Sequence, residues 1–413
     1  MISNIKLVLK DLFALQRLGI KVGLEHTEEL LNSIGDPHLN LSCIHIAGTN
    51  GKGSTCAIIN KILIESGFNV GLYTSPHLVK FNERIQVNGE QISDRDIALF
   101  MQKNRHHIKR INTTFFETTT AMAFDYFHKK SIDIAVIETG LGGRLDSTNV
   151  ISPLVCGITS ISLDHADILG DTIEKISKEK AGIIKSNTPV YVFEQHEDII
   201  EIIKKKSAEE NSYLNIIKRD DLDVITSSYN GSVFKYKDYT ITLPLIGEHQ
   251  IQNCALAINI SEFVLESTNE KILNRAISKL SWAGRMEKVS DKNIYYDVAH
   301  NNDGIMALIR AVEKIHPDKK MAGLFCIKAE KNIELICRLL KNHFTKIIIC
   351  QDREKYLMSV KNLSKKFKKE KINFFEVKSV KKGIEILKNL NKREYVGLIF
   401  GSHYIAEEVY SEF

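Results

Sequence analysis

Short, nearly all-apolar segments that each run into a turn constrain this chain more than any other feature. They are "LSCIHIAG" (41–48), "NVGLYTS" (69–75), "IDIAVIETG" (132–140), "LVCGITSI" (154–161) and "TPVYVFE" (188–194). Helical-looking stretches lie between them. "STCAIINKILIESG" (54–67) is an example, with apolar positions recurring three to four apart. A strand that is apolar on both sides must be covered on both faces, so the alternation predicts a mostly parallel sheet sandwiched by helices. The stretch 212–245 departs from this, because "GSVFKYKDYTITLPL" alternates apolar and polar residues and predicts a small antiparallel hairpin region. A second α/β pattern starts near residue 293, with strands in "NIYYDVAHN", "KKMAGLFCI", "KIIICQD" and "EYVGLIFGS" around the helix "DGIMALIRAVEKI". The polar, glycine-bearing segment 281–292 reads as the linker. The expected organisation is a larger first domain, 1–287, and a smaller Rossmann-like α/β domain, 288–413.

A chain of 413 residues suits two or more domains. Its 56 basic and 51 acidic residues leave a net charge of +5, too small an excess to argue for nucleic acid as a partner but suited to a polyanionic small substrate. Seven scattered cysteines without C-x-x-C spacing read as reduced core thiols. The N-terminus lacks a signal-peptide core, and no apolar run approaches the roughly 18 residues of a membrane span. The expectation is a cytoplasmic protein without a membrane partner.

Chemistry concentrates first in "HIAGTNGKGST" (45–55). A strand, a glycine turn and a helix start present backbone N–H groups to an anion. Lys52 adds positive charge for outer phosphates, with Gly48, Thr49, Asn50, Gly51, Gly53 and Ser54 forming the cradle. The spacing is not that of the usual phosphate-binding loop: Ile46 stands five residues before Gly51, and Gly53 follows the lysine where a hydroxyl is expected. Glu138 ends an apolar strand, where a carboxylate can serve as a magnesium ligand or merely cap something local. His165 ends another, and Lys180 lies 15 residues further on in a helical stretch. Spacing does not distinguish Lys180 from its neighbours.

In combination these motifs resemble the folylpolyglutamate synthase/dihydrofolate synthase family of the ATP-dependent Mur ligase superfamily. The resemblance rests on "GLEHTEELLNSIGDP" (23–37), "GTNGKGS" (48–54), "GLYTSPHLVKFNERI" (71–85), "ETGLGGRLDSTNV" (138–150), "LDH" (163–165), "KEKAGIIK" (178–185), "GEHQIQNCALAI" (247–258), "GRME" (284–287) and "DVAHN" (297–301), in the family's order. It implies an ATP-binding first domain and a C-terminal ligase domain. It also implies that ATP phosphorylates a substrate carboxylate and that L-glutamate attacks the acyl phosphate, the acceptor being dihydropteroate or a reduced folate. Two Mg²⁺ ions are implied, held by Ser75, Glu138, His165 and Lys180, the lysine as a CO2-derived carbamate. Asn253, Arg285, Asp297 and His300 match nucleotide-side positions. Lys21, Val22, Gly23, Thr114, Phe115, Phe116, Glu117, Leu145, Asp146 and Ser147 match the pterin side. Phe116 is a candidate to stack on the pterin or a core residue, and Asp146 a pterin partner or a turn residue. The resemblance further implies a monomer.

The second domain departs from the family pattern at "DVAHN", at "IKAEKN" (327–332) and at His403 in "GSHYIA". Two other readings keep part of the chemistry: a Mur-type ligase for another carboxylate, or a nucleotide-binding protein without ligation. The absence of an early G-x-G-x-x-G argues against a nicotinamide enzyme.

Overall fold

The computed structural model describes residues 5–19, 21, 23–329, 333–390 and 392–413. The first sheet contains β1 (Cys43–Ala47), β2 (Val70–Tyr73), β3 (Ile85–Val87), β4 (Glu90–Gln91), β5 (Ile134–Glu138), β6 (Val155–Ile158), β7 (Val190–Phe193) and β8 (Leu214–Ile217). Its order is β4-β3-β2-β5-β1-β6-β7-β8, parallel except for the antiparallel edge strands β3 and β4. β1 is central: Ile46 pairs with Glu138 on one side and with Gly157 on the other. All five β1 residues are buried, as the apolar run required.

The helix Lys52–Glu65 follows β1 and packs on the helix Glu248–Leu265, both nearly buried all round. Ile58, Ile59, Ile62 and Leu63 are fully withdrawn from water. Each such side chain contributes roughly 2 kcal/mol. The opposite face of the sheet is covered by a separate cluster built on Phe100, Phe115, Phe124 and Phe127. The helix Glu248–Leu265 and one sheet face thus clamp Lys52–Glu65, which fixes the loop before it.

The expected hairpin region is larger and differently placed. Leu214–Ile217 joins the parallel sheet as β8, and a separate three-stranded sheet follows, β9 (Leu222–Ser228), β10 (Gly231–Tyr236) and β11 (Tyr239–Leu243). The second α/β sheet holds β12 (Glu287–Ser290), β13 (Ile294–Asp297), β14 (Lys320–Phe325), β15 (Phe344–Ile349), β16 (Phe375–Glu376) and β17 (Tyr395–Phe400), in the order β12-β13-β17-β14-β15-β16. Part of the segment read as a linker is therefore the antiparallel edge strand β12. An edge strand is half exposed and tolerates the polar "EKVS" that disguised it. All seven cysteines are buried free thiols. Among the described residues, no helix is long and apolar enough to cross a membrane.

Candidate active site

The carboxyl ends of β1, β2 and β5 and those of β13, β14 and β17 border one cavity of about 510 Å³. Open α/β sheets bind ligands at this edge. The loop after β1 forms one end. Gly48 has φ +147°, and any side chain there would collide with Thr159 on the neighbouring strand end. Gly51 caps the helix Lys52–Glu65 with φ +95°, against the amide of Asn253. Thr49 N–H donates to the Ser160 carbonyl at 2.7 Å, which pins the loop to the strand end of β6.

Two lysines converge on the loop. Lys52 Nζ donates to the carbonyls of Gly48 (3.1 Å) and Thr49 (3.3 Å), and Lys180 Nζ donates to the same Gly48 oxygen at 2.7 Å. Lys180 is buried in the helix Ile173–Ala181 beside Ile176, Ser177 and Ala181. Burial, reinforced by Lys52, lowers its pKa to about 7. Glu138 is buried too and accepts from the Ser75 N–H at 3.0 Å. Desolvation raises its pKa, with Lys52 the largest opposing influence. Ser54 and Thr55, in the first turn of the helix, carry buried hydroxyls that have no hydrogen-bond partner among the described residues.

The remaining metal-side candidate, His165, caps the short helix Ala166–Leu169 at φ +52° and lines the cavity. No three His, Cys, Asp or Glu side chains gather around one point among the described residues. A site here must therefore recruit other donors. The Ser75 hydroxyl and substrate oxygens are such donors, and hydroxyl and carboxylate oxygens suit Mg²⁺.

Thr114, Phe115, Phe116, Leu145, Asp146, Ser147 and Lys21 line the far end. Phe116 stacks on Tyr73 (centroids 6.0 Å apart) and lies against Gly140, where a side chain would strike its ring. Phe115 belongs mainly to the core, stacked on Phe13 at 5.6 Å. Glu117 is turned away into a capping box, accepting from Thr114 N–H at 2.6 Å. Lys21 Nζ donates to the Asn112 carbonyl at 2.6 Å. Gly23 sits against Glu25 rather than in the cavity lining, and Val22 lies outside the described residues.

The second sheet supplies the cavity's other wall. Asn50 and Asn301 exchange amide hydrogen bonds of 3.2 and 3.0 Å, while Asn301 also caps its own helix through Gly304 N–H. Asn301 and His300 both reach Asp164, at 3.1 and 3.4 Å. Asp297 is buried and accepts from Met286 and Ala299 N–H, both at 2.7 Å. Burial raises its pKa, and the Arg285 charge opposes this. Asn253, Arg285 and Asp297 do not line the cavity; Asn253 lies against Gly51 of the loop, and Arg285 lies near Asp297.

Residues 46–261 match the Mur ligase middle domain, and residues 284–403 match the Mur ligase glutamate ligase domain. A dihydrofolate synthase/folylpolyglutamate synthase of Bacillus subtilis is 35% identical over 347 residues, 79% of this chain and 80% of that protein. The chain belongs to the dihydrofolate synthase/folylpolyglutamate synthase family. A folylpolyglutamate synthase of Lacticaseibacillus casei is 37% identical over 320 residues, 72% of this chain and 74% of that protein. The folylpolyglutamate synthase of Mycobacterium tuberculosis, solved with ADP and AMPPCP, superposes with a TM-score of 0.89 at 26% identity, covering 98% of this chain and 97% of that one. The Thermotoga maritima folylpolyglutamate synthase superposes with a TM-score of 0.84 at 30% identity, covering 98% and 96%.

Within this Mur ligase frame, sequence reasoning passed over Arg84 and Tyr404, which line the cavity, and noted His403 only as a departure. Arg84 is buried, donates from Nε to His77 Nδ1 at 2.7 Å and lies over the Phe115 ring at 5.1 Å. His403 and Tyr404 stack at 4.2 Å in the second sheet's wall. Trp282 covers Gly53. A signal existed for Arg84, a cation flanked by "KFNE" and "IQV" at the start of a strand, but nothing local says that it is buried. Residues 330–332 of the divergent "IKAEKN" stretch lie outside the described residues.

Proposed function

We propose that this chain is an ATP-dependent ligase that joins L-glutamate to the carboxylate of dihydropteroate, of reduced folates, or of both. One observation carries the reading. A single cavity runs from the Gly48–Lys52 loop to Phe116 and Asp146, and residues after β14 and β17 close it from the second sheet. A carboxylate is a poor electrophile, so it must be converted to an acyl phosphate before an amine can displace phosphate as the leaving group.

The chain's own groups fit that sequence. Backbone N–H groups at the start of Lys52–Glu65, with Lys52, hold the transferring phosphate and stabilise its charge. Lys180, its pKa near 7, has a neutral amine available to take up CO2 as a carbamate with loss of one proton. That exchange replaces a cation by an anionic oxygen donor. Ser75, Glu138, His165 and the modified Lys180 would then hold two Mg²⁺ ions, which supply charge neutralisation for phosphoryl transfer. Asn253, Arg285, Asp297 and His300 are assigned to the nucleotide side, with Phe116 and the Leu145–Ser147 turn on the pterin side. Both walls come from one chain, which supports a monomer.

The test is phosphate release from Mg-ATP and L-glutamate with 7,8-dihydropteroate, with tetrahydrofolate, or with no acceptor. Stimulation by dihydropteroate alone identifies dihydrofolate synthesis, by tetrahydrofolate alone tail extension, and by both a bifunctional enzyme. Stimulation by neither overturns the substrate assignment.

A further inference from the structure

We propose that His45 is a positioning residue for the acceptor pocket: through Thr148 it holds the carboxylate of Asp146, and with it the loop from Gly140 to Ser147. The role in acceptor binding rests on the reading above; the hydrogen-bond chain does not. His45 sits in the middle of β1, fully buried between strand neighbours Ile137 and Cys156. The other β1 residues, Cys43, Ile44, Ile46 and Ala47, are apolar, as a central parallel strand demands. An imidazole there needs a partner to offset its desolvation.

The partner is Thr148, whose Oγ1 lies 2.8 Å from His45 Nε2 and 2.6 Å from Asp146 Oδ1. Burial raises the Asp146 pKa, and hydrogen bonds from Leu141 and Thr148 oppose it. As a carboxylate Asp146 can only accept, so the Thr148 hydroxyl proton points to it. His45 must then donate, which fixes the Nε2–H tautomer. Nδ1 is left as a bare lone pair, and it has no hydrogen-bond partner among the described residues. Asp146 Oδ1 also accepts from Thr148 N–H (3.1 Å), and Oδ2 accepts from Leu141 N–H at 2.7 Å. Leu141, Asp146 and Ser147 all line the cavity. The chain thus runs from the centre of the sheet to the cavity wall. Burial, helped by the nearby Lys185 charge, keeps the imidazole neutral, with its pKa lowered to about 3.

Replacing His45 by leucine keeps the volume and removes the donor that fixes the Thr148 hydroxyl. Glutamine is the conservative variant, because its Nε2–H can reach the same oxygen. The experiment measures KM for the pterin acceptor and for ATP in wild type, His45→Leu and His45→Gln, alongside ¹⁵N NMR of the wild-type imidazole. The expected result is an acceptor KM raised about tenfold in His45→Leu, the equivalent of one neutral hydrogen bond. kcat and the ATP KM should stay within about twofold, and His45→Gln should return close to wild type. An acceptor KM unchanged in His45→Leu, or equal losses in the Leu and Gln variants, would overturn the positioning role. An Nδ1–H tautomer overturns the chain itself, even where the leucine variant fails to fold. Wild-type protein with no acceptor-dependent phosphate release overturns the ligase reading and the link to acceptor KM, and the tautomer still scores the chain separately.

Discussion

The two ends of the cavity solve the burial of polar groups in opposite ways. At the phosphate end, Lys180 and Glu138 are charged side chains removed from water, and two ammonium groups share one carbonyl oxygen. These charges are incompletely matched within the protein, which is why burial shifts both pKa values toward the neutral forms. At the acceptor end, the buried polar groups are satisfied locally. Burial raises the Asp146 pKa as well, but the donors of Leu141 and Thr148 surround and oppose it, Glu117 closes a capping box, and the His45 imidazole is neutral. The lesson is that the Lys180–Glu138 end is left with charge its own groups do not fully match, whereas the Asp146 end is preorganised by its own hydrogen bonds.

The largest effect should come from breaking the phosphate end alone. Lys180→Ala should lower kcat by roughly 10²–10³, the scale of losing one preorganised charge-stabilising group. Acceptor KM should change little, and short carboxylic acids should partly restore turnover by supplying the missing oxygen. Full activity without rescue would remove Lys180 from the chemistry and erase the contrast.

A second effect concerns acid. His45, His77 and His403 have pKa values lowered to about 3, and His249 to about 4, all chiefly by burial. These folded values lie below the unfolded value near 6.5, so the unfolded chain binds more protons in between. The associated stability is present above pH 6.5 and is lost as pH falls toward 3–4. Urea unfolding at pH 7 and pH 4.5 should show the loss, and His45→Gln should lose about 2–3 kcal/mol less than wild type over that interval. Equal losses would mean that His45 is not held neutral.

Phe116→Ala sharpens the acceptor side. Removing an aromatic platform worth about 1–2 kcal/mol should raise acceptor KM roughly five- to thirtyfold, with the ATP KM unaffected. A parallel rise in ATP KM would show that the two ends are not independent. The smallest expected effect lies at the junction of the two sheets. Asn50→Ala, Asn301→Ala and the double variant should give a coupling of about 0.5–1.5 kcal/mol in unfolding free energy. Additivity would mean that the reciprocal amide pair does not join the walls.

Much of the fold was legible because burial leaves a strong mark on composition. Strands β1, β5 and β6 had to be apolar on both faces, and the glycine turn after β1 is written in residues that no other local structure requires. The edge strand β12 was not legible, because half-exposed strands carry no such mark. At the site, Gly48–Ser54 could be read from local order, since a strand, turn and helix in succession define that geometry. Glu117 could not be judged: the same Thr114-x-x-Glu117 spacing serves a pterin contact and a capping box, and only the 2.6 Å bond to Thr114 decides for the cap.

By itself the sequence determined the strand–helix alternation, the two sheets and the strand–glycine turn–helix form of the 48–54 loop, because these follow from hydrophobic period and turn chemistry within a few residues. Only the tertiary structure decided which lysine of "KEKAGIIK" meets Gly48, that Arg84 and His403 face the cavity, and that His45 touches Thr148. Those pairings join residues up to 132 positions apart, as for Gly48 and Lys180. Contacts at such separations depend on how strands are ordered in a sheet, and no local pattern of residues encodes that order.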